Sequence, residues 1–443
     1  MSVRPRFSTL FAAGVALTGV LLLVAAMLLG QPDHAGGRTV VTVRLWDEQV
    51  AAAYRESFAE FERAHPGIEV RVNVVAYSTY FDSLRTDVAG GGADDIFWIS
   101  NAYFAEYADS GRLMDIDRTM GARAWEPSVV EQFTRDGTLW GVPQLTDGGI
   151  ALYYNADLLS AAGIEEGELT TLRWSPDSAV DTLRPLLARL TLDHEGRTAD
   201  AAGFDAQRIR QWGYNAANDL QGIYLNYIGS AGGVFAVGDR FAFDNPQAAQ
   251  AFSYLVGLIN TEHVAPPASA TNDNGDFSRN QFLQGRMALF QSGTYNLAAV
   301  ADAAPFRWGV ALLPEGPVGR VSVTNGIAAA GNSATAHPEA VREVLAWMGG
   351  ARGNAYLGAG GAAIPAVLDA RRVYHEYWRS RGVDVSPFFD VLDGVRIEAP
   401  GGAGFAAGFD ALKPYFDEMF LGRRDVATTL RKAQEAANAA AQR

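Results

Sequence analysis

The stretch TVVTVRLWDEQVAAAYRESFAEFERAHPGIEVRVNVVAYSTYFDSLRTDVAGGGADDIFWIS, residues 39–100, decides the fold. Val40 to Trp46 reads as a strand. Val50 to Ala64 sets Val50, Tyr54, Phe58 and Phe61 on one face of a helix, and His65-Pro66-Gly67 stops it. Ile68 to Val75 alternates, with Ile68, Val70, Val72 and Val74 on one side and Glu69, Arg71 and Asn73 on the other. Tyr80 to Val88 reads as a second helix, ended by Gly90-Gly91-Gly92, and Ile96 to Ile99 as a third strand. Strand and helix alternating through short connections predict an α/β protein with an open, largely parallel sheet flanked by helices.

Toward the N-terminus, Arg4 and Arg6 precede a run from Phe11 to Leu29 that is apolar or small except for Thr18. That length can span a bilayer, and the positive flank predicts that everything after it lies outside the cytoplasm. A retained membrane anchor and a cleaved signal both fit; with no evident small-residue cleavage site, the anchor is preferred. Residues 1–38 are expected to be this segment and its linker.

Toward the C-terminus, Ile150 to Tyr154, Phe306 to Leu312 and Val321 to Ala330 read as strands. Ala156 to Ala162, Val180 to Leu190, Ala248 to Asn260, Pro338 to Met348 and Asp425 to Ala441 read as helices, and the glycines and alanines from Gly349 to Ala363 as a crossing between lobes.

Composition removes much chemistry. The 443 residues carry a net charge of −14 and only two lysines, Lys413 and Lys432, so neither a broad nucleic-acid surface nor a G-x-x-x-x-G-K phosphate loop is expected. The absence of cysteine excludes disulfides, thiolate metal sites and a lipidated N-terminal cysteine. Six scattered histidines have no metal-ligand spacing, no G-x-S-x-G elbow is present, and neither a metal nor a cofactor is expected.

In open α/β sheets, ligands sit outside the carboxyl ends of the strands. The first strand leads to Trp46-Asp47, the second to Tyr77, the third to Ser100-Asn101. Aromatic faces beside carboxylates and amides suit a polyhydroxylated ligand, because rings stack on sugar C–H faces and desolvated hydroxyls need partners. Each residue also has a plainer role: Trp46 as core, Asp47 as a helix cap, Asn101 as a turn or cap residue. The pair Asp94-Asp95, just before the third strand, reads as a cap or turn.

Five blocks in order carry a family resemblance. They are Leu45-Trp46-Asp47 through Val70; Asp94 to Trp98 with Tyr107 to Leu113; Gly141-Val142-Pro143 with Ala151 to Asn155 and Ala162-Gly163-Ile164; Phe282 to Ala288 with Ser292-Gly293-Thr294-Tyr295; and Asn325 to Ala328 with Pro338-Glu339-Ala340 and Ile364-Pro365. Together they resemble the extracellular solute-binding proteins of carbohydrate ABC importers, which are similar to maltose-binding protein. The resemblance implies a two-lobed periplasmic-binding-protein fold of type II, each lobe a mostly parallel sheet with helices, preceded by the apolar helix. It implies a first lobe of residues 39–145 and 325–360 and a second of 146–324 and 361–443, with crossings near 142–149, 321–326 and 358–365.

The resemblance further implies that Trp46, Asp47 and Asn101 reach the ligand from the first lobe and that Asp147 lies beside it in the first crossing. Asp219, Gln221, Tyr295 (where the family commonly has tryptophan) and Phe409 face it from the second lobe. Tyr77 and Asn325 come from the strand-end logic. The implied activity is carbohydrate binding outside the cytoplasm, of a di- or oligosaccharide, without catalysis. Delivery to the permease subunits of an ABC importer follows by hinge closure. The fold needs no partner to bury its core, so a monomer is expected.

Other readings stay open. The same clamp suits a polyamine, a metal ion, a peptide or glycerol phosphate, although no basic residue falls at the expected cleft for a phosphate. A membrane-tethered sugar sensor also fits. A glycoside hydrolase needs two carboxyl groups flanking the scissile bond, and nothing in the sequence sets Asp47, Asp147 and Asp219 at that separation.

Overall fold

The computed structural model describes residues 34, 35, 37–116, 120, 123–397, 399–402 and 404–442. The expected apolar N-terminal helix lies outside the described residues. Among those described, no helix is long and apolar enough to cross a membrane.

The chain begins with strand β1 (Arg38–Leu45), helix α1 (Glu48–Ala64), β2 (Ile68–Val74), α2 (Tyr77–Gly90), β3 (Ile96–Ser100) and α3 (Asn101–Asp109). It continues through β4 (Val142–Thr146) and β5 (Ala151–Asn155) to α4 (Leu225–Ser230) and α5 (Pro246–Asn260). Then come β6 (Leu289–Ser292), β7 (Trp308–Ala311), β8 (Val321–Val323), β9 (Gly326–Gly331), α6 (Pro338–Met348), α7 (Ala351–Ala359) and β10 (Ile364–Pro365). Helix α8 (Arg371–Ser380), β11 (Val395–Ile397), α9 (Phe405–Phe420) and α10 (Val426–Ala441) close the chain.

Two lobes result. The sheet of the first runs β2-β1-β3-β9-β4-β10, with a short His34–Ala35 strand also on β1. β1 is parallel to β2 and β3, as expected from residues 39–100, but β9 is antiparallel to both β3 and β4, and β10 to β4. The second lobe is built on a three-stranded sheet, β6-β5-β7, that is wholly antiparallel. The expectation of mostly parallel sheets is therefore corrected. The chain re-enters the first sheet from the other lobe, and a strand returning that way arrives in the opposite direction.

Helix α1 packs as its spacing predicts, burying Val50, Tyr54, Phe58 and Phe61. These join Val43, Ile99 and Leu345 in the first lobe's core. A second core gathers Leu186, Tyr224, Phe252 and Phe416, and a third gathers Tyr153, Phe290, Trp378 and Phe388.

The run Val321 to Ala330 is not one strand. It breaks at Thr324-Asn325, so that β8 pairs with β11 and β9 enters the first sheet. The Gly349 to Ala363 stretch, expected as a crossing, contains α7, in which the Gly353 carbonyl accepts the Ser57 hydroxyl of α1 at 2.9 Å. Val367 and Ala370 beyond it still belong to the first lobe's core. Asp94 and Asp95 are neither cap nor turn. Asp94 takes the Arg44 Nε at 2.5 Å, and Asp95 accepts from the Thr42 backbone N–H at 2.9 Å, so both lock β3 to β1.

Candidate functional site

Leu45 is fully buried as β1 ends, and Trp46 follows it partly buried. Its ring stands edge-on to Trp98 at 4.9 Å and Tyr80 at 4.8 Å, and meets Tyr77 at 5.7 Å. The Trp98 indole is itself fixed by donating to the Tyr54 hydroxyl at 3.2 Å. Trp46 is thus backed by the core and fronted by Tyr77, which opens α2 and leaves 64% of its surface exposed.

Asp147 follows directly on β4. Its backbone N–H donates to the Asn325 carbonyl at 2.9 Å, its carbonyl accepts the Thr294 hydroxyl at 2.6 Å, and its Oδ2 accepts from Gln221 Nε2 at 2.8 Å. Gly148 follows at φ +63, a left-handed conformation that L side chains rarely adopt, and a Cβ on Gly149 would fall 2.2 Å from Val391 Cγ1. Glycines therefore let the chain turn directly after Asp147.

Asp219 caps the π-helical turn Leu220–Tyr224, accepting from the Gly222 N–H at 2.8 Å. Tyr295 lies two residues after Gly293, following β6, with 46% of its surface exposed. These groups sense one another. Desolvation, together with the negative charge of Asp147 and Asp219, pushes the Tyr77 hydroxyl up to about 12. Desolvation, with Asp219 and Asp147, raises the Tyr295 hydroxyl as well.

Desolvation also raises both carboxyls, Asp147 to about 6 despite the Gln221 hydrogen bond, and Asp219 despite two backbone donors. No arginine or lysine among the described residues offsets either one.

The cluster thus unites Trp46, Tyr77, Asp147, Asp219, Gln221 and Tyr295, with Asn325 adjoining through its backbone. Asp47 uses Oδ1 to cap α1, accepting from the N–H groups of Gln49 and Val50. Asn101 opens α3 and donates Nδ2 to Ala399 O at 3.1 Å. Phe409 stacks on Phe405 at 5.7 Å, against the second core. Two contributors escaped the sequence reading. Tyr103 stacks on Phe81 at 3.8 Å, and Thr294 anchors the Asp147 backbone. Tyr103 stands two residues after Asn101, so strand-end reasoning carried one step further reaches it. Among the described residues, no group of three or more metal-ligating side chains is placed to hold an ion.

A two-lobed α/β clamp with an aromatic and acidic cleft defines a solute-binding protein. Residues 46–355 match the family of bacterial extracellular solute-binding proteins, and the chain belongs to that family. The fold and family are those of non-enzymatic, extracytoplasmic binding proteins.

The chain is similar to Mycobacterium tuberculosis UspC, with 74% identity, coverage of 90% of this chain and 100% of that one, and a TM-score of 0.76. It is similar in fold to the ABC substrate-binding protein Lmo0181 of Listeria monocytogenes, solved with cycloalternan. There the identity is 20%, the coverage 91% and 98%, and the TM-score 0.76. A probable ABC transporter-binding protein of Deinococcus radiodurans is 28% identical over 257 residues, 54% of this chain and 55% of that relative. The chain therefore spans about half the length of that relative.

Proposed function

We propose that this protein binds a carbohydrate, a di- or oligosaccharide, between its lobes and hands it to the permease subunits of an ABC importer. The observation that carries this reading is that Tyr77 and Tyr295, both exposed, lie within electrostatic reach of the carboxyls of Asp147 and Asp219. Exposed rings offer stacking faces for sugar C–H groups. The carboxylates and the neighbouring amide of Gln221 offer acceptors and donors for hydroxyls.

Closure follows from geometry. Only when the lobes approach can one ligand touch both walls, so the ligand favours the closed state by its differential contacts. We place the crossings at Asp147–Gly149, at Thr324-Asn325 and after Ala370, with residues 39–146 and 326–370 as the first lobe. The TM-score of 0.76 with a chain that shares 74% of its residues fits lobes set at different angles.

One feature of the cleft favours a narrower ligand. Its carboxylates have no compensating cation, so a ligand with an amino group, whether an amino sugar or a polyamine, gains attraction there and a phosphorylated one meets repulsion. A thermal-shift screen of the purified protein against neutral oligosaccharides, amino sugars, polyamines and glycerol phosphate tests both points. A ligand that binds only the folded state raises the melting temperature. A response to glycerol phosphate alone overturns the sugar reading, and recovery of cleaved sugar overturns the binding-only reading.

A further inference from the structure

Asn101 belongs to the first lobe, at the junction of β3 and α3. Its Nδ2 nevertheless donates to the carbonyl of Ala399, which packs in the second lobe's core on the segment leading into α9. Gly401 closes on the same residue. A Cβ at position 401 would stand 2.7 Å from Asn101 Nδ2 and 2.9 Å from the Asn101 carbonyl oxygen, nearer than real Cβ atoms approach. Ala102 also reaches across to pack on the second core. Beyond this strip a cavity of about 450 Å³ parts the lobes, walled by Gln132 and Arg135 on one side and by Asp239 and Arg396 on the other. Where Asn101 meets Gly401, the two segments fit only because residue 401 has no side chain.

We propose that Asn101 and Gly401 form an interlobe clasp that holds the closed arrangement. The inference rests on the hinge-closure reading above. A hydrogen bond of 3.1 Å has little length to spare. A rotation that parts the segments by about 1 Å breaks it, since such bonds are lost beyond roughly 3.5 Å. A methyl group at 401 would wedge the same surfaces apart. Asn101 then acts on the solute as a positioning residue, by setting the population of the closed state, because apparent affinity scales with the fraction of binding-competent protein.

The test exploits the absence of cysteine. Glu56→Cys and Glu262→Cys, both at exposed positions, one in each lobe, introduce the only two thiols for spin labels. Pulsed dipolar spectroscopy then reads the interlobe distance without any ligand. Asn101→Ala should raise the ratio of long to short distances roughly 2- to 12-fold, the worth of one hydrogen bond. Asn101→Asp, which keeps the size but loses the donor, should do the same, and Gly401→Ala should abolish the short distance.

Cooperative melting confirms that each variant is folded. A single distance in the parent that lengthens in the variants also supports the clasp. Distributions that superimpose on the parent's overturn it. Failure of the hinge reading shows differently, as a thermal-shift response to a sugar that leaves the parent's label distance unmoved.

Discussion

Gln221 donates its side-chain amide to Asp147 Oδ2 at 2.8 Å, tying the turn that opens at Asp219 to the segment that follows β4. The bond fixes the carboxylate's direction without neutralising it. In the proposed site, Asp147 is thus both bonded into the chain around it and available as a charge for the solute.

Its titration has a defined consequence for stability. The Asp147 carboxyl ionises at about 6 in the folded protein, against an ordinary 3.8. Because the folded state holds the proton more tightly, ionisation costs stability as pH rises from about 4 through about 6. Asp147→Asn retains an acceptor for Gln221 and removes that cost. In urea denaturation the variant should be more stable than the parent by about 1–2 kcal/mol at pH 7.5 and equal to it near pH 4, after allowance for screening by cleft water. The same difference at both pH values would show that burial does not perturb this carboxyl.

The charge also predicts how binding responds to pH. Between pH 7.5 and pH 5, Asp147 gains its proton and the cleft loses attraction for a cation. Affinity for an amine-bearing ligand should fall about tenfold over that range, while a neutral sugar keeps its affinity. Calorimetric titration at both pH values, using the ligands selected by thermal shift, distinguishes the two. Parallel behaviour of both ligands would remove the electrostatic role.

Ring contacts should carry much of the sugar's binding energy. Tyr77→Ala and Tyr295→Ala each remove an exposed face, so each should weaken binding by about 1–3 kcal/mol with little change in melting temperature. Trp46→Ala should weaken binding similarly but also lower the melting temperature, since that ring is packed on Trp98 and Tyr80. Unchanged affinity in Tyr295→Ala would take the second wall of the proposed site away.

The ion pair beneath β1 is structural. Arg44 reaches Asp94 at 2.5 Å and Asp87 at 2.7 Å, and both Arg44 and Asp94 are almost fully buried. Asp94→Ala should cost about 3–5 kcal/mol by leaving the guanidinium short of its buried partner. Solute affinity measured well below the melting temperature should be unaffected. A loss of affinity with normal stability would move Asp94 into the binding machinery.

Much of this organisation is legible in the residues themselves. The alternation of Ile68 to Val74 and the spacing of Val50, Tyr54, Phe58 and Phe61 locate β2 and α1, because a strand repeats every two residues and a helix about every 3.6. The strand-end rule brings Trp46 and Tyr77 to the cleft. It fails to separate Asp47's capping from ligand contact, because a carboxylate after a strand suits both. The break at Thr324-Asn325 is invisible in an apolar run, since residues buried in two different sheets look alike in sequence. The antiparallel sheet of the second lobe is hidden for a related reason: β5 lies more than a hundred residues before its two partners, β6 and β7.

The sequence by itself determined the local elements of the first lobe, the exclusion of thiol and phosphate-loop chemistry, and the family. Each depends on residue type and short spacing. Only the tertiary structure decided that Tyr77 and Tyr295 lie within electrostatic reach of Asp147 and Asp219 and that Asp147 is bound to Gln221. It alone decided that Asn101 spends its amide across the lobes. Those relations join residues 74 to 298 positions apart. Chain connectivity does not impose such contacts; they arise only when two separately folded cores are set against each other across the crossings.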